Sequence, residues 1–174
     1  TIALFPDVGG SWFLNHMPGS SGRFLALTAA SVNATDALFC GLADRFLAAD
    51  QKAPLLDALR VVSWSADPVA NRALLRHCLR EATEVTAVAR PGAQVQPHLE
   101  TINSLETDDK WLSRARDGLA HGSRLAALWI DRQLYRTRHA SLREVFQSEL
   151  VLGTNIVRHP EFAEGVRALL IDKD

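Results

Sequence analysis

The chain of 174 residues is 47% hydrophobic and 22% charged, which is enough apolar material for a globular core. Its 19 Lys and Arg against 20 Asp and Glu leave a formal net charge of -1, a balance that offers no field to a polyanion and argues against nucleic acid as a partner. No apolar run approaches the roughly 20 residues that span a bilayer, so no membrane partner is expected. Two cysteines, Cys40 and Cys78, are too few for a disulfide framework; both sit among apolar residues, and a reducing, cytoplasmic setting is expected.

Residues 1–5, TIALF, read as a strand that Pro6 ends. Because a chain end is usually polar and frayed, this apolar start is expected to be a strand cut open, in a piece of a larger protein. VGGSWFLNHM turns into a helix after its glycines, and SGRFLALTAA follows as a second helix with Phe24, Leu25, Leu27 and Thr28 at helical spacing. In SVNATDALFCGL, Asn33 or Thr35 is the expected N-cap, Ala37, Leu38 and Cys40 an apolar face, and Gly41 the stop. LADRFL, residues 42–47, reads as a short strand. Alternation of strand and helix predicts α/β layering here.

Beyond Lys52 the apolar residues recur at helical spacing. This predicts helices in PLLDALRVV, DPVANRALLRHCLREATEV, QPHLETINSLE and DDKWLSRARDGLA, then in SRLAALWIDRQLYRTR, SLREVFQSELVLGTNIVR and EFAEGVRALLID. Asp67–Pro68 supplies an N-cap with proline at the first helical position. Ser141 with Glu144 forms a capping box. ARPGAQVQP, residues 89–97, is the clearest loop.

Asp7 is the residue that most needs a role. Pro6 has its own φ fixed by its ring, Gly9 and Gly10 permit unusual angles, and a helix begins near Gly10 or Ser11. One reading makes Asp7 a helix cap; the other projects it into an apolar pocket to hold a substrate hydroxyl or handle a proton. The six histidines show no metal-ligand spacing. A Ser-His-Asp set can be drawn from Ser11, His16 and Asp7, but there is no G-x-S-x-G elbow and Ser11 is better placed to begin a helix. Trp12, Phe13, Phe24 and Phe46 are residues more often found in a core than in a substrate box. Near the end, Glu164 and Arg167 form an i,i+3 pair, and Gly165 inside a helix hints at a close approach by another backbone or a ligand.

The run TIALFPDVGGSWFL, the later MPG, LALT, DAL and GLADRF, and the ending HPEFAEGVRALLIDKD resemble the second half of a crotonase-superfamily (enoyl-CoA hydratase/isomerase) protein. General crotonases carry a Pro-Gly-x-Gly-Gly turn where this chain has Pro6-Asp7-Val8-Gly9-Gly10. The Asp in that turn, with the IDKD ending, favours the 3-hydroxyisobutyryl-CoA hydrolase-like branch. The resemblance covers the whole chain, strongly over 1–47 and 158–174 and loosely in the helical middle. Departures are Ala3 for the usual Gly, Asn15-His16 where Pro-Arg is frequent, and Ala29 for the Gly of LTG. They read as packing changes, with Asn15 and His16 placed to alter a pocket rim.

The resemblance implies an α/β fold, the C-terminal portion of a crotonase-like fold, predominantly helical with a few short strands near its N-terminus. Residues 1–50 would close the α/β core and 51–174 form the helical region. It implies a CoA-thioester hydrolase in which Asp7 is catalytic and, with Phe5 and Trp12, binds substrate. The partner Glu and the backbone donors of the oxyanion hole are expected ahead of Thr1, so these residues alone are expected to be inactive. No metal or separate cofactor is implied, because coenzyme A is part of the substrate. The implied partners are the acyl-CoA, the missing N-terminal half, and a second copy of the chain through an exposed edge. The other readings are an enoyl-CoA hydratase or isomerase, and a helical interaction module without catalysis.

Overall fold

A computed structural model of the chain describes residues 3–84 and 108–173. These residues fall into two compact units, one formed by 3–32 with 108–173 and the other by 33–84. The predicted loop at 89–97 and the predicted helix at 96–106 lie outside the described residues.

The helices follow the apolar spacing and the caps. In the first unit they are α1 (Gly10–Asn15), α2 (Ser21–Thr28), α6 (Lys110–Ala120), α7 (Arg124–Thr137), α8 (Leu142–Ile156) and α9 (Pro160–Val166). The second unit holds α3 (Ala34–Phe39), α4 (Lys52–Arg60) and α5 (Pro68–Glu84). Asn33 caps α3 by accepting the Asp36 N–H at 3.0 Å, and Asp67 accepts from Val69 at 2.9 Å just ahead of Pro68. Ser141 and Glu144 form the expected capping box on α8. The last predicted helix divides: α9 gives way to a π-helical turn over Arg167–Asp172, where Arg167 also pairs with Glu164.

Two expectations need correction. Residues 3–6 and 42–47 are irregular, and no strand occurs among the described residues. A strand exists only through a hydrogen-bonded neighbour; β-branched and aromatic residues in an extended segment give a tendency without a ladder. The described part of the predicted α/β fragment is therefore helical. AADQKAP instead winds as a 3₁₀ turn, Ala49–Gln51, into α4, whose first turn tolerates Pro54.

The core of the first unit is Phe5, Ile130, Leu134 and Ile156, with Leu4, Leu14, Trp129 and Leu152 packed around it. On α7 the buried positions are Ala126, Ile130, Gln133, Leu134 and Thr137, one face of a helix. Burying side chains of this size contributes about 1.5–3 kcal/mol each. In this arrangement α7 packs on α1, α2 and α8, and α1 also touches α8. The irregular segment before α1 is thereby pinned between core and α8, with Phe5 as its anchor. No helix among the described residues is long and apolar enough to cross a membrane.

Candidate functional site

The segment from Pro6 to Ser11 makes a tight turn into α1. Gly10 N–H donates to the Asp7 carbonyl at 2.7 Å, and the two residues between have left-handed backbones, Val8 with φ 49° and Gly9 with φ 85°. Glycine suits such angles. A β-branched residue does not, and strain of this kind concentrates at sites where the surroundings hold it in place. Val8 is 77% exposed, so burial of its side chain is not what compensates.

The free N–H groups at the start of α1 are taken by Glu149, from the middle of α8. Its Oε2 accepts from Gly9 at 2.7 Å and its Oε1 from Ser11 at 3.1 Å. Glu149 as a whole is only 5% exposed. A buried carboxylate is costly unless its oxygens are hydrogen-bonded, and these two N–H groups meet that need. The helix-cap reading of Asp7 is thus filled by a different acid. Asp7 itself is exposed, and among the described residues its carboxylate makes no hydrogen bond or ion pair.

Asp7 borders a groove of about 480 Å³ between the entry segment and α8. Phe5, Val8, Phe146 and Leu150 make its walls apolar, and Glu149 lines it beside Asp7. Of the three residues expected at a substrate site, Asp7 and Phe5 meet here, Phe5 mainly as a core residue that shows one side to the groove. Trp12 does not line it. Its ring stacks on His16, with centroids 3.9 Å apart, and meets Phe13 edge-on.

The Ser-His-Asp set drawn from the sequence is not assembled. Ser11 is fully buried with its hydroxyl donating to the Pro6 carbonyl at 3.4 Å, while His16 Nδ1 hydrogen-bonds the Trp12 carbonyl at 2.7 Å. Nor do Asn15 and His16 shape the groove's rim. Asn15 donates to Leu134 O and Thr137 Oγ1, tying α1 to α7. Among the described residues no group of three or more His, Cys, Asp and Glu is placed to hold a metal ion.

A second cavity, about 730 Å³, lies against α1, α2 and α7 and shares no lining residue with the groove. Its charges are largely satisfied internally: Arg23 pairs with Asp131 at 2.7 Å, and Arg138 lies over the Tyr135 ring. The groove has the opposite character, apolar walls with an unengaged carboxylate, as small-molecule sites do.

Glu149 is the residue that reading the sequence missed. A signal was available: Val145, Glu149, Leu152 and Ile156 follow one helical stripe, and a carboxylate within an apolar stripe is a buried polar group needing a partner.

Residues 1–174 match the family described as enoyl-CoA hydratase/isomerase. Among curated relatives, the 3-hydroxyisobutyryl-CoA hydrolase, mitochondrial, of Gallus gallus is 31% identical over 99% of this chain and 48% of its own length. The protein of the same name from Homo sapiens is 31% identical over 99% and 47%. The crystal structure of a carnitinyl-CoA dehydratase from Mycobacterium thermoresistibile superposes with a TM-score of 0.73 at 21% identity, over 98% of this chain and 50% of that one. That of an enoyl-CoA hydratase from Rhodobacter sphaeroides 2.4.1 gives 0.71 at 27%, over 98% and 49%. The chain spans about half the length of the curated relatives it matches.

Proposed function

The chain belongs to the enoyl-CoA hydratase/isomerase family, and on that premise we propose that the whole protein hydrolyses a short, branched hydroxyacyl-CoA thioester, with Asp7 as the acid these residues contribute. The observation that carries the reading is the Asp7 carboxylate. It borders an apolar groove with its oxygens uncommitted among the described residues, because Glu149 already serves the adjacent amides. Relatives named 3-hydroxyisobutyryl-CoA hydrolase support the choice of substrate class.

In this reading water adds to the thioester carbonyl and the developing oxyanion is held by backbone donors. The C–S bond then breaks, releasing the free acid and the coenzyme A thiol. Asp7 would bind the β-hydroxyl of the acyl group or pass the proton that the thiolate receives, and Phe5 would wall the acyl chain. Coenzyme A enters as part of the substrate, and the reading calls for no other cofactor. Because the chain spans half its relatives, the reading assigns the oxyanion donors and a partner carboxylate to the rest of the whole protein. These 174 residues alone are then expected to show no turnover.

The two free cysteines suit a reducing compartment. The cytoplasm expected from the sequence is one, and the mitochondrion in the relatives' names is another.

The test compares the whole protein with its Asp7→Asn variant on 3-hydroxyisobutyryl-CoA, and sets that rate against hydration of crotonyl-CoA. Loss of about 10²–10⁴-fold in hydrolysis is expected for the variant. Unchanged hydrolysis would remove Asp7 from the mechanism. Faster hydration of crotonyl-CoA would favour a hydratase, as the Rhodobacter sphaeroides neighbour is named, and absence of both activities a non-catalytic helical module.

A further inference from the structure

We infer that Glu149 is a positioning residue that acts through Asp7, clamping the turn that presents the Asp7 carboxylate to the groove; the inference rests on the reading of Asp7 proposed above. Helices α3, α6, α7 and α8 are capped by the side chain immediately before them, Asn33, Asp109, Ser123 and Ser141. Helix α1 is not. Its N-cap is Gly9, which has no side chain to offer, and the acceptors come from a residue 140 positions away.

The donors that Glu149 takes are specific to the turn. Asp7 and Gly10 are its first and fourth residues, joined by the 2.7 Å backbone bond, and the two Glu149 bonds fall on Gly9 and Ser11, one on each side of Gly10. Glu149 has no Arg, Lys or His partner among the described residues, so its two oxygens are met by these amides alone. A helix start could have been secured by a local Ser or Asp without burying a charge. What the distant carboxylate adds is a fixed distance between the Asp7 turn and α8, the two walls of the groove. The left-handed Val8, directly between Asp7 and Gly9, shows how tightly that turn is specified.

Glu149→Gln changes little in size but leaves one amide N–H facing an NH₂ group. In the whole protein it is expected to lower kcat, counted per folded molecule, by about 10- to 100-fold, the scale of a 1 Å misplacement. KM should change less than kcat, since Phe5, Phe146 and Leu150 keep their apolar side chains in the groove. The decisive arm is the double variant: in an Asp7→Asn background, Glu149→Gln should cause no further fall, because two residues acting as one unit are non-additive. Should Glu149→Gln fail to fold, Glu149→Asp keeps the carboxylate but draws it back by one methylene from the two donors, and is read in the same way.

An unchanged kcat per folded molecule would overturn the inference, as would an equal fall in the Asp7→Asn background, which marks a general structural role. If Asp7→Asn loses turnover and Glu149→Gln does not, the positioning role fails and the Asp7 reading stands. If Asp7→Asn keeps full turnover, both fail.

Discussion

A β-carbon placed on Gly22 would lie 1.8 Å from the carbonyl oxygen of Leu14. Helices α1 and α2 are in contact at this point, backbone against backbone, and only a residue without a side chain fits. In an isolated helix, alanine would be preferred over glycine by about 1 kcal/mol. Here the obstructing atom belongs to backbone and cannot rotate away. Gly22→Ala is therefore expected to destabilise the chain by at least about 2 kcal/mol net, read as a lower denaturation midpoint. A neutral or stabilising result would show that the two helices separate at little cost.

Ala29 ends α2 with φ 53°, a left-handed backbone that an L-residue with a β-carbon adopts at a cost of about 1–2 kcal/mol. It stands where the family resemblance expects glycine, and it is exposed, so its methyl contributes little burial. Ala29→Gly relieves the strain and gives back about 0.5–1 kcal/mol in unfolded-state entropy. A net stabilisation of up to about 1 kcal/mol is expected in urea unfolding. Ala3, with φ 53°, also stands where the resemblance expects glycine, but it is 1% exposed, so its methyl packs in the core as well.

Ser141 and Glu144 link the start of α8 to pH. Hydrogen bonds from the Ser141 hydroxyl and then from its N–H hold the Glu144 carboxyl below the ordinary range. A depressed folded-state value means the folded form favours the ionised group. The contribution is complete above the unfolded value of about 4.3 and is lost as pH falls through the lower folded value. Ser141→Ala is expected to cost about 1 kcal/mol at neutral pH through the lost cap. It should also flatten the stability profile below pH of about 4.3. A variant with an unaltered acid limb in pH-dependent unfolding would contradict the assignment.

Asp7 and Ile156 should separate function from stability. Asp7 is exposed and makes no side-chain bond among the described residues, so Asp7→Asn should move unfolding by no more than about 0.5 kcal/mol. Ile156 is 1% exposed in the core cluster, and Ile156→Ala should cost about 2–5 kcal/mol. Thermal or chemical denaturation of both variants checks the contrast. A large loss of stability in Asp7→Asn would mean that the carboxylate has a structural partner.

Most helices could be read directly from residue order, because their causes are local. Spacing of apolar residues within two turns and a cap within three residues specify α3, α5, α7 and α8, and Asn33, Asp67 and Ser141 act as read. Of the strands predicted at residues 1–5 and 42–47, the described residues 3–5 and 42–47 form none, for the complementary reason. A ladder depends on another segment, and propensity carries no information about whether one is adjacent.

At the candidate site, residue order pointed to Asp7 and identified the family, since a motif is a local pattern. It left Asp7 poised between cap and groove, and placed Trp12 beside Asp7 where the folded chain turns its ring onto His16. The choice between cap and groove was made by Glu149, whose bonds reach back 138 and 140 positions. Which acid meets the amides of α1 depends on how α8 packs against the turn, a matter of three-dimensional register that no short stretch of sequence encodes. Composition, helix positions and family were therefore set by the residues in order; the division of labour between two carboxylates was set only when the core brought α1 and α8 together.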